Sequence, residues 1–589
     1  MNNPYFNLIG HVWRNGRPWR RSIVGFYLAY ALGQICLSMS PYAFGRTIDV
    51  LQDFKPEHLS QAIFWLVVVV VLFPLFWIFH GPARVVERSV ALKIQQASFV
   101  DLYEKLTRLP LKWHQDHHSG NVITRANRAN TALFNFAESQ YIYIETIVKF
   151  VISMAFLTWI SPIIGLISML TCTFAAALVI LFDRKLIPLY EAKNEIDNHV
   201  GSVFFDYLSN MTTILTLRLG DLTRSNIWQR LVSGWPFFKK EVFLNEAKWF
   251  VMGMILSAMQ SFTLIGYIIH SLHASGTILI GTVVMIFRYQ WDLSYVFYNL
   301  STYYSKLVRM DADVNGLRPV LDDIAQLVTE VPVAVNPVSW QMLEVKQLHF
   351  HYNEDGTRGQ IDHVSFALKR GERIALIGSS GAGKSTFLNL LSGLYTPSFV
   401  ELMVDGVRYD SLQAMREITT LIPQEPEIFE NTIAFNITMD LDVPTRDLES
   451  VIHLAGFSSV LASLPLGLAT DIREKGFNLS VGQKQRLALA RGLFTARYSS
   501  LILLDEPTSS VDLATEKKIL AGVVSSPSFA ESAMIVSLHR LHLLPQFDRI
   551  MMLEQGKLIA DGSTELLLNT PGPVQVLWQK YQARVEVEA

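Results

Sequence analysis

Hydrophobic positions divide the chain in two: up to about residue 310 they come in long runs, and beyond it in short ones. Six long runs start near Ile23, Ala62, Ile142, Ile163, Trp249 and Gly281. Each approaches the roughly 20 residues that a helix needs to cross a bilayer. Pro162 marks a tight turn between the third and fourth, and Ser271-Leu272-His273-Ala274-Ser275-Gly276 separates the fifth from the sixth. Ahead of the first run, Tyr5, Ile9, Val12 and Trp13 fall near one helical face, and Arg14, Arg17, Arg20 and Arg21 follow. This predicts a short interfacial elbow helix over 1–20. A signal peptide is discounted, because the first run is long enough to span and lacks a cleavage site. The spans and their extensions predict a membrane domain over 21–318 and a linker over 319–340, around Val331-Pro332-Val333-Ala334-Val335-Asn336-Pro337. From 341 to 580 strand-like and helical patterns alternate, as in an α/β domain, leaving a tail at 581–589.

Charge gives the orientation. The two short turns carry no Lys or Arg, whereas the stretch after run two holds Arg84, Arg88, Lys93, Lys105, Arg108, Lys112, Arg125 and Arg128. The stretch after run four holds Arg184, Lys185, Lys193, Arg218, Arg224, Lys239 and Lys240. Both read as cytoplasmic, with the N-terminus. They are too long for loops and predict helices continuing out of the membrane around Val85–Leu106 and Glu191–Leu208, with turns near Gly120 and Met211.

Only 17% of the 589 residues are charged and half are hydrophobic, against roughly 25% charged in a typical soluble domain. The shortage falls in the first half and supports the bilayer. A formal net charge of −2 excludes a strongly basic nucleic-acid binder. Cys36 and Cys172 lie in apolar runs and form no disulfide framework.

Charges within the runs need partners or water. Glu145 and Lys149 are four apart and suit one another. Glu246 and Lys248 lie near the cytoplasmic end of run five, where snorkelling accounts for them. In run six, Arg288, Asp292, Tyr295 and Asn299 recur at helical spacing as one polar stripe. Asp292 falls about 16 Å along the helix from Gly281, near the midplane. The stripe reads either as the lining of a substrate cavity or as a locking ion pair.

In the second half, Ile374-Ala375-Leu376-Ile377 reads as a buried strand and Phe387-Leu388-Asn389-Leu390-Leu391 as a helix. Between them stand Gly378, Ser379, Ser380, Gly381, Ala382, Gly383, Lys384, Ser385 and Thr386, the pattern G-x-x-x-x-G-K-S/T. Its glycines let successive N–H groups converge on a polyphosphate at a helix N-terminus. Lys384 reaches the β/γ-phosphates, and the Ser385 hydroxyl suits Mg²⁺. Leu501-Ile502-Leu503-Leu504 reads as a second buried strand, ending in Asp505 and Glu506. Asp505 is placed to hold Mg²⁺ and Glu506 to act as general base on the attacking water. Tyr352 precedes the phosphate loop and is a candidate to stack on adenine.

Leu479-Ser480-Val481-Gly482-Gln483, followed by Gln485-Arg486, resembles the signature loop of ABC transporters. With the six runs, the chain resembles an exporter-type half-transporter over essentially its whole length. That resemblance implies an all-α six-helix membrane domain of the type I ABC exporter fold, followed by an α/β P-loop ATPase domain. It implies Gln424 as the glutamine that senses Mg²⁺ and the membrane domain, Glu474 as the acid that meets the cytoplasmic helices, Asp512 as the D-loop aspartate and His539 as the switch histidine. It implies that Ser480, Gly482 and Gln483 serve the ATP of a partner chain, so that a dimer is required. Val481 departs from the family's usual glycine, and its β-branch restricts the backbone. A homodimer is the expectation and a heterodimer the alternative.

The expected activity is ATP hydrolysis driving export of an amphipathic small molecule, lipid or peptide across a plasma membrane, in bacteria the inner membrane. The tips near Gly120 and Met211 are expected to couple the two domains. The alternatives are import of a metal chelate and an ATP-gated channel or regulator. No N-terminal peptidase domain is expected, since no cysteine precedes Cys36.

Overall fold

The computed structural model describes residues 3–52, 55–117, 119–327, 340–352, 361–473 and 478–588. The chain forms two compact units, one of residues 1–109 and 114–327, the other of 110–113 and 328–589.

The first unit is helical. Helix α1 (Pro4–Asn15) starts at Asn3, whose side chain accepts the Tyr5 N–H, and carries Pro4 in its first turn, where no partner is needed for the missing donor. Its buried face is centred on Leu8 and Val12, while Trp13 is exposed, so the expected face is turned by about one residue. The first expected span is two helices, α2 (Arg20–Ser38) and α3 (Ser40–Gln52). Pro41 lacks the N–H that would continue the ladder across Met39, which accounts for the break.

Helix α4 (Leu59–Thr107) has 49 residues and, further on, α8 (Pro162–Ser209) has 48. At 1.5 Å per residue each is about 70 Å long, more than twice the hydrocarbon core. The polar ends therefore project from the membrane. Between them lie α5 (Leu111–Asp116), α6 (Ser119–Ala137) and α7 (Gln140–Ile160). Short α5 ends just ahead of the expected tip near Gly120, and α6 opens at Ser119. Helix α9 (Met211–Thr216) turns the chain at the second tip, and α10 (Gly220–Ser233) leads into α11 (Trp235–Ser275). Left-handed Gly276 ends α11, and α12 (Ile280–Asn315) and α13 (Arg318–Leu327) complete the unit.

Among the described residues, five stretches, 17–52, 56–107, 140–160, 162–209 and 220–274, are long and apolar enough to cross a membrane. Helix α12 is long enough, but its polar stripe keeps it outside that group. It is held by neighbours instead. At the α3–α12 crossing, a Cβ on Gly281 would lie 1.9 Å from the Gly45 carbonyl oxygen, so the two backbones touch. Asp49 of α3 accepts the Thr282 N–H at 3.2 Å, satisfying an orphan donor at the start of α12.

The second unit is layered. Strands β1 (Met342–Phe350), β2 (Ile361–Lys369), β4 (Phe399–Val404) and β5 (Val407–Tyr409) form an antiparallel sheet in the order β2-β1-β4-β5. A second sheet runs β10-β9-β3-β8-β7-β6. It comprises β3 (Arg373–Ile377), β6 (Thr419–Ile422), β7 (Leu501–Asp505), β8 (Ala533–Ser537), β9 (Arg549–Glu554) and β10 (Lys557–Ser563). All its neighbouring pairs are parallel except β9–β10. Alternation along β3 splits the core: Ile374 and Leu376 pack with the four-stranded sheet and α14 (Lys384–Leu391). Ala375 and Ile377 face the helices of the opposite layer. Those are α15 (Ile433–Thr438), α16 (Thr445–Leu454), α17 (Ser458–Ser463), α18 (Val481–Ala496) and α19 (Leu513–Val524). Strands buried on both faces read as continuous apolar runs, which is why β3 and β7 are visible in the sequence.

Candidate functional site

Parallel strands aim their C-terminal ends at one edge of a sheet, and ligands bind there. Gly378 follows β3, Gln424 follows β6 by two residues, Asp505 ends β7 and His539 follows β8 by two. The loop after β3 needs its glycines. Gly381 and Gly383 have φ of 79° and 100°, and a Cβ on Gly378 would lie 2.3 Å from the Leu553 carbonyl oxygen. Lys384 is buried and donates to the carbonyl oxygens of Gly378 and Ser379 at 3.0 and 3.3 Å, folding its ammonium over the loop. Ser379, Ser380, Gly381 and Ser385 are exposed, whereas Ala382 and Thr386 are buried.

The carboxylates meet this loop. Glu506 Oε1 lies 3.9 Å from Lys384 Nζ, and Glu506 Oε2 accepts from Gln424 Nε2 at 3.0 Å. Glu506 has φ of 45°, a left-handed conformation unfavourable for a residue with a side chain. Such strain survives only where its surroundings hold it. Here the Ser537 hydroxyl accepts the Glu506 N–H at 3.3 Å and donates to Asp505 Oδ1 at 2.8 Å. Gln485 of α18 donates to the Glu506 carbonyl oxygen at 3.1 Å and to Ser509 Oγ at 3.0 Å, and accepts the Ser510 N–H at 2.9 Å. Ser385, Asp505 and Gln424 offer hard oxygen donors, the set that Mg²⁺ takes beside phosphate.

Tyr352 stands beside the loop. Its hydroxyl shares a hydrogen bond with Thr386 Oγ1 at 3.2 Å, and its ring meets Phe350 and Tyr395 edge-on. A cavity of about 400 Å³ opens between Glu506, Thr508, Glu516, Ser537, His539 and Arg540.

The signature residues stand apart. Ser480 caps α18 and exchanges hydrogen bonds with Gln483 in a capping box. Val481 opens the helix with its side chain 63% exposed. A Cβ on Gly482 would lie 2.8 Å from the Ser510 carbonyl oxygen, so α18 begins against the 509–511 turn. Among the described residues, no hydrogen bond or ion pair joins Ser480, Gly482 or Gln483 to residues 378–386. Asp512 caps α19, and hydrogen bonds from the Thr515 backbone and side chain hold its carboxyl below the usual carboxylate range. Glu474 lies outside the described residues.

In the membrane unit, Arg288 and Tyr295 are exposed, Asp292 is half-buried and Asn299 is buried, donating to Thr146 Oγ1 at 3.4 Å. Lys149 pairs with Glu145 at 2.8 Å and sits 4.2 Å from the centre of the Tyr295 ring. The stripe therefore faces a charged patch of α7. Lys248 does not snorkel: its Nζ donates to Asp183 Oδ1 of α8 at 3.2 Å, and both residues are buried. Beside this pair lies a cavity of about 460 Å³ lined by Tyr190, Asn245, Lys248, Trp249, Tyr298 and Ser301. The sequence reading missed Asp183; the signal was an acid in run four opposite a lysine in run five. It also missed Ser537.

The comparisons with known proteins follow this division. Residues 361–509 match the family described as ABC transporter, and residues 23–297 the ABC transporter transmembrane region. The ATM1-type heavy metal exporter of Novosphingobium aromaticivorans is 25% identical over 594 residues, 96% of this chain and 93% of that protein. The mitochondrial iron-sulfur clusters transporter ATM1 of Kluyveromyces lactis is 24% identical over 605 residues, 97% of this chain and 80% of that protein. Human ATP-binding cassette sub-family B member 6 is 28% identical over 504 residues, 82% of this chain; the chain spans 57% of that longer relative. In fold, the chain resembles the solved structure of a bacterial Atm1-family ABC exporter with ATP bound. The TM-score is 0.77 at 22% identity, covering 95% of this chain and 98% of that one.

Proposed function

The chain belongs to the ABC transporters as a multi-pass, exporter-type half-transporter, and on that premise we propose that it hydrolyses ATP to export a polar solute. The observation that carries the hydrolytic part is Glu506, held in a strained backbone with one oxygen on Gln424 and the other near Lys384. Lys384 and the N–H groups of residues 378–386 bind the phosphates, and Tyr352 packs against adenine. Ser385, Asp505 and Gln424 would hold Mg²⁺, which would supply positive charge to neutralise the phosphates. Glu506 takes a proton from the attacking water, and His539 contacts the γ-phosphate.

Ser480, Gly482, Gln483 and Asp512 serve the nucleotide of a second copy. The separation of Ser480, Gly482 and Gln483 from residues 378–386 within one chain supports this arrangement. Two copies make two shared sites, and ATP closes the pair because it prefers the closed state. Closure shifts the membrane unit from inward-open to outward-open, in a plasma membrane with the nucleotide-binding unit inside.

Relatives named for heavy metals and for iron–sulfur clusters favour a small polar solute of metal or sulfur chemistry over a lipid. The cavity beside Lys248, with Tyr190, Asn245 and Ser301, supplies hydrogen-bonding groups for such a solute. The test is ATPase stimulation of the protein reconstituted in vesicles, across polar thiol- and metal-bearing solutes and lipids, followed by flux of the best solute. Stimulated ATPase with ATP-dependent flux of a polar solute is expected. Stimulation by lipids alone would overturn the substrate class, and absent ATPase would overturn the motor.

A further inference from the structure

Three histidines and an aspartate gather on the outer face of the four-stranded sheet, away from the hydrolytic residues. Along β1, alternation puts Leu348 and Phe350 in the core and His349 on the opposite side, with His351 two residues further on. On β2, Asp362 and His363 are neighbours, and a regular strand would point them to opposite faces. The ladder is not regular there. Leu348 pairs with Val364 and Phe350 with Ile361, so one residue of β1, His349, opposes two of β2. This is a β-bulge, and His363 occupies its left-handed position with φ of 50°. The bulge brings Asp362 and His363 together beside His349.

The result is compact. Asp362 Oδ1 lies 3.4 Å from His349 Nδ1 and 3.7 Å from His363 Nε2. The His349 and His363 rings stack at 4.9 Å, and His351 Nε2 lies 2.9 Å from His349 Nε2. One ligand atom from each of His349, Asp362 and His363 falls within 4.8 Å of the others. The Nδ1 atoms of His349 and His351 are buried with no hydrogen-bond partner among the described residues; the approach of Asp362 to His349 lacks hydrogen-bond geometry. Buried polar atoms left unpaired in a polar cluster call for an explanation.

We propose that His349, Asp362 and His363 form a binding site for a divalent transition metal of the zinc type, with His351 as a further imidazole donor. Two or three imidazoles with one carboxylate match the donors such ions take, whereas Mg²⁺ and Ca²⁺ prefer all-oxygen sets. Lys557 lies 3.2 Å from Asp362 Oδ2, which orients the carboxylate and leaves Oδ1 toward the imidazoles. Ligand atoms up to 4.8 Å apart must draw closer around an ion, and the exposed His363 ring is the one able to move.

The test uses the full-length protein in lipid nanodiscs, free of any histidine tag and stripped with chelator, titrated with Zn²⁺ and separately with Co²⁺. One Zn²⁺ per chain and visible Co²⁺ bands of a four- or five-coordinate nitrogen–oxygen site are expected. His349→Ala and His363→Asn should each weaken Zn²⁺ binding at least about tenfold, asparagine being chosen because it tolerates the left-handed backbone. His453→Ala, on the exposed face of α16, should leave it unchanged. Unchanged stoichiometry and affinity in the double variant of His349 and His363 would overturn the proposal. So would a Co²⁺ spectrum that stays octahedral. Nucleotide binding by each variant distinguishes loss of ligands from loss of fold.

Discussion

Lys248 and Asp183 face one another across α11 and α8, Nζ to Oδ1 at 3.2 Å, with both residues at most 2% exposed. Removing one member strands the other charge in the protein interior, which costs about 3–5 kcal/mol. Lys248→Met and Asp183→Leu are each expected to lower the melting temperature of the purified protein sharply. The double variant, with no charge left to strand, should recover most of the loss. Thermal unfolding followed by size-exclusion chromatography reads this directly. Equal damage in single and double variants would show that packing, not charge, governs the position.

At the nucleotide site the decisive substitution is Glu506→Gln. The amide keeps the size of the side chain and can still meet Gln424, but it takes no proton. Hydrolysis is expected to fall roughly 100- to 10,000-fold, the usual worth of a general base, while ATP binding persists. Steady-state turnover beside nucleotide affinity separates the two effects. Near-normal turnover would remove Glu506 from the role of base.

Local chemistry was legible from residues; long-range pairing was not. The turn at Gly378 needs glycines at fixed offsets between an apolar run and a helix, and all of that lies within residues 374–391. The Lys248–Asp183 pair joins residues 65 apart on different helices, and no periodicity links them. The broken first span turned on Pro41, which hydropathy alone passes over. Helix α12 shows the reverse case. Its polar stripe was legible, yet that same stripe keeps it out of the five apolar helices. The bulge at His363 depends on the register between two strands, which composition does not encode.

The crossing at Gly45 and Gly281 makes a steric prediction. Gly281→Val would drive a Cβ into the Gly45 carbonyl oxygen and Asp49, backbone and a functional cap that cannot both retreat. Overpacking of this kind costs about 1–3 kcal/mol or more. Expression of folded protein and thermal stability should both fall. Gly266→Ala serves as the control, because its Cβ would meet nothing within 4 Å. A stable Gly281→Val variant would mean that α3 and α12 separate more readily than their contact implies.

Gln485 gives a prediction that neither the phosphate loop nor the carboxylates would suggest. Its side chain is 4% exposed and holds the Glu506 carbonyl oxygen, the Ser509 hydroxyl and the Ser510 N–H at once. Its hydrogen bonds all go to the 506–510 turn, so it acts as a positioning residue, fixing the turn that keeps Glu506 in its left-handed conformation. Gln485→Leu conserves volume but leaves buried polar groups unpaired, which costs about 1–3 kcal/mol. If that cost is expressed as misplacement of Glu506, turnover should drop by about tenfold, since 1.4 kcal/mol is one decade in rate. The Michaelis constant for ATP should change little, because Lys384 and the loop backbone are untouched. A merely structural role would instead lower stability with turnover per folded molecule unchanged. Comparing turnover normalised to nucleotide-binding sites with the melting temperature decides between the two.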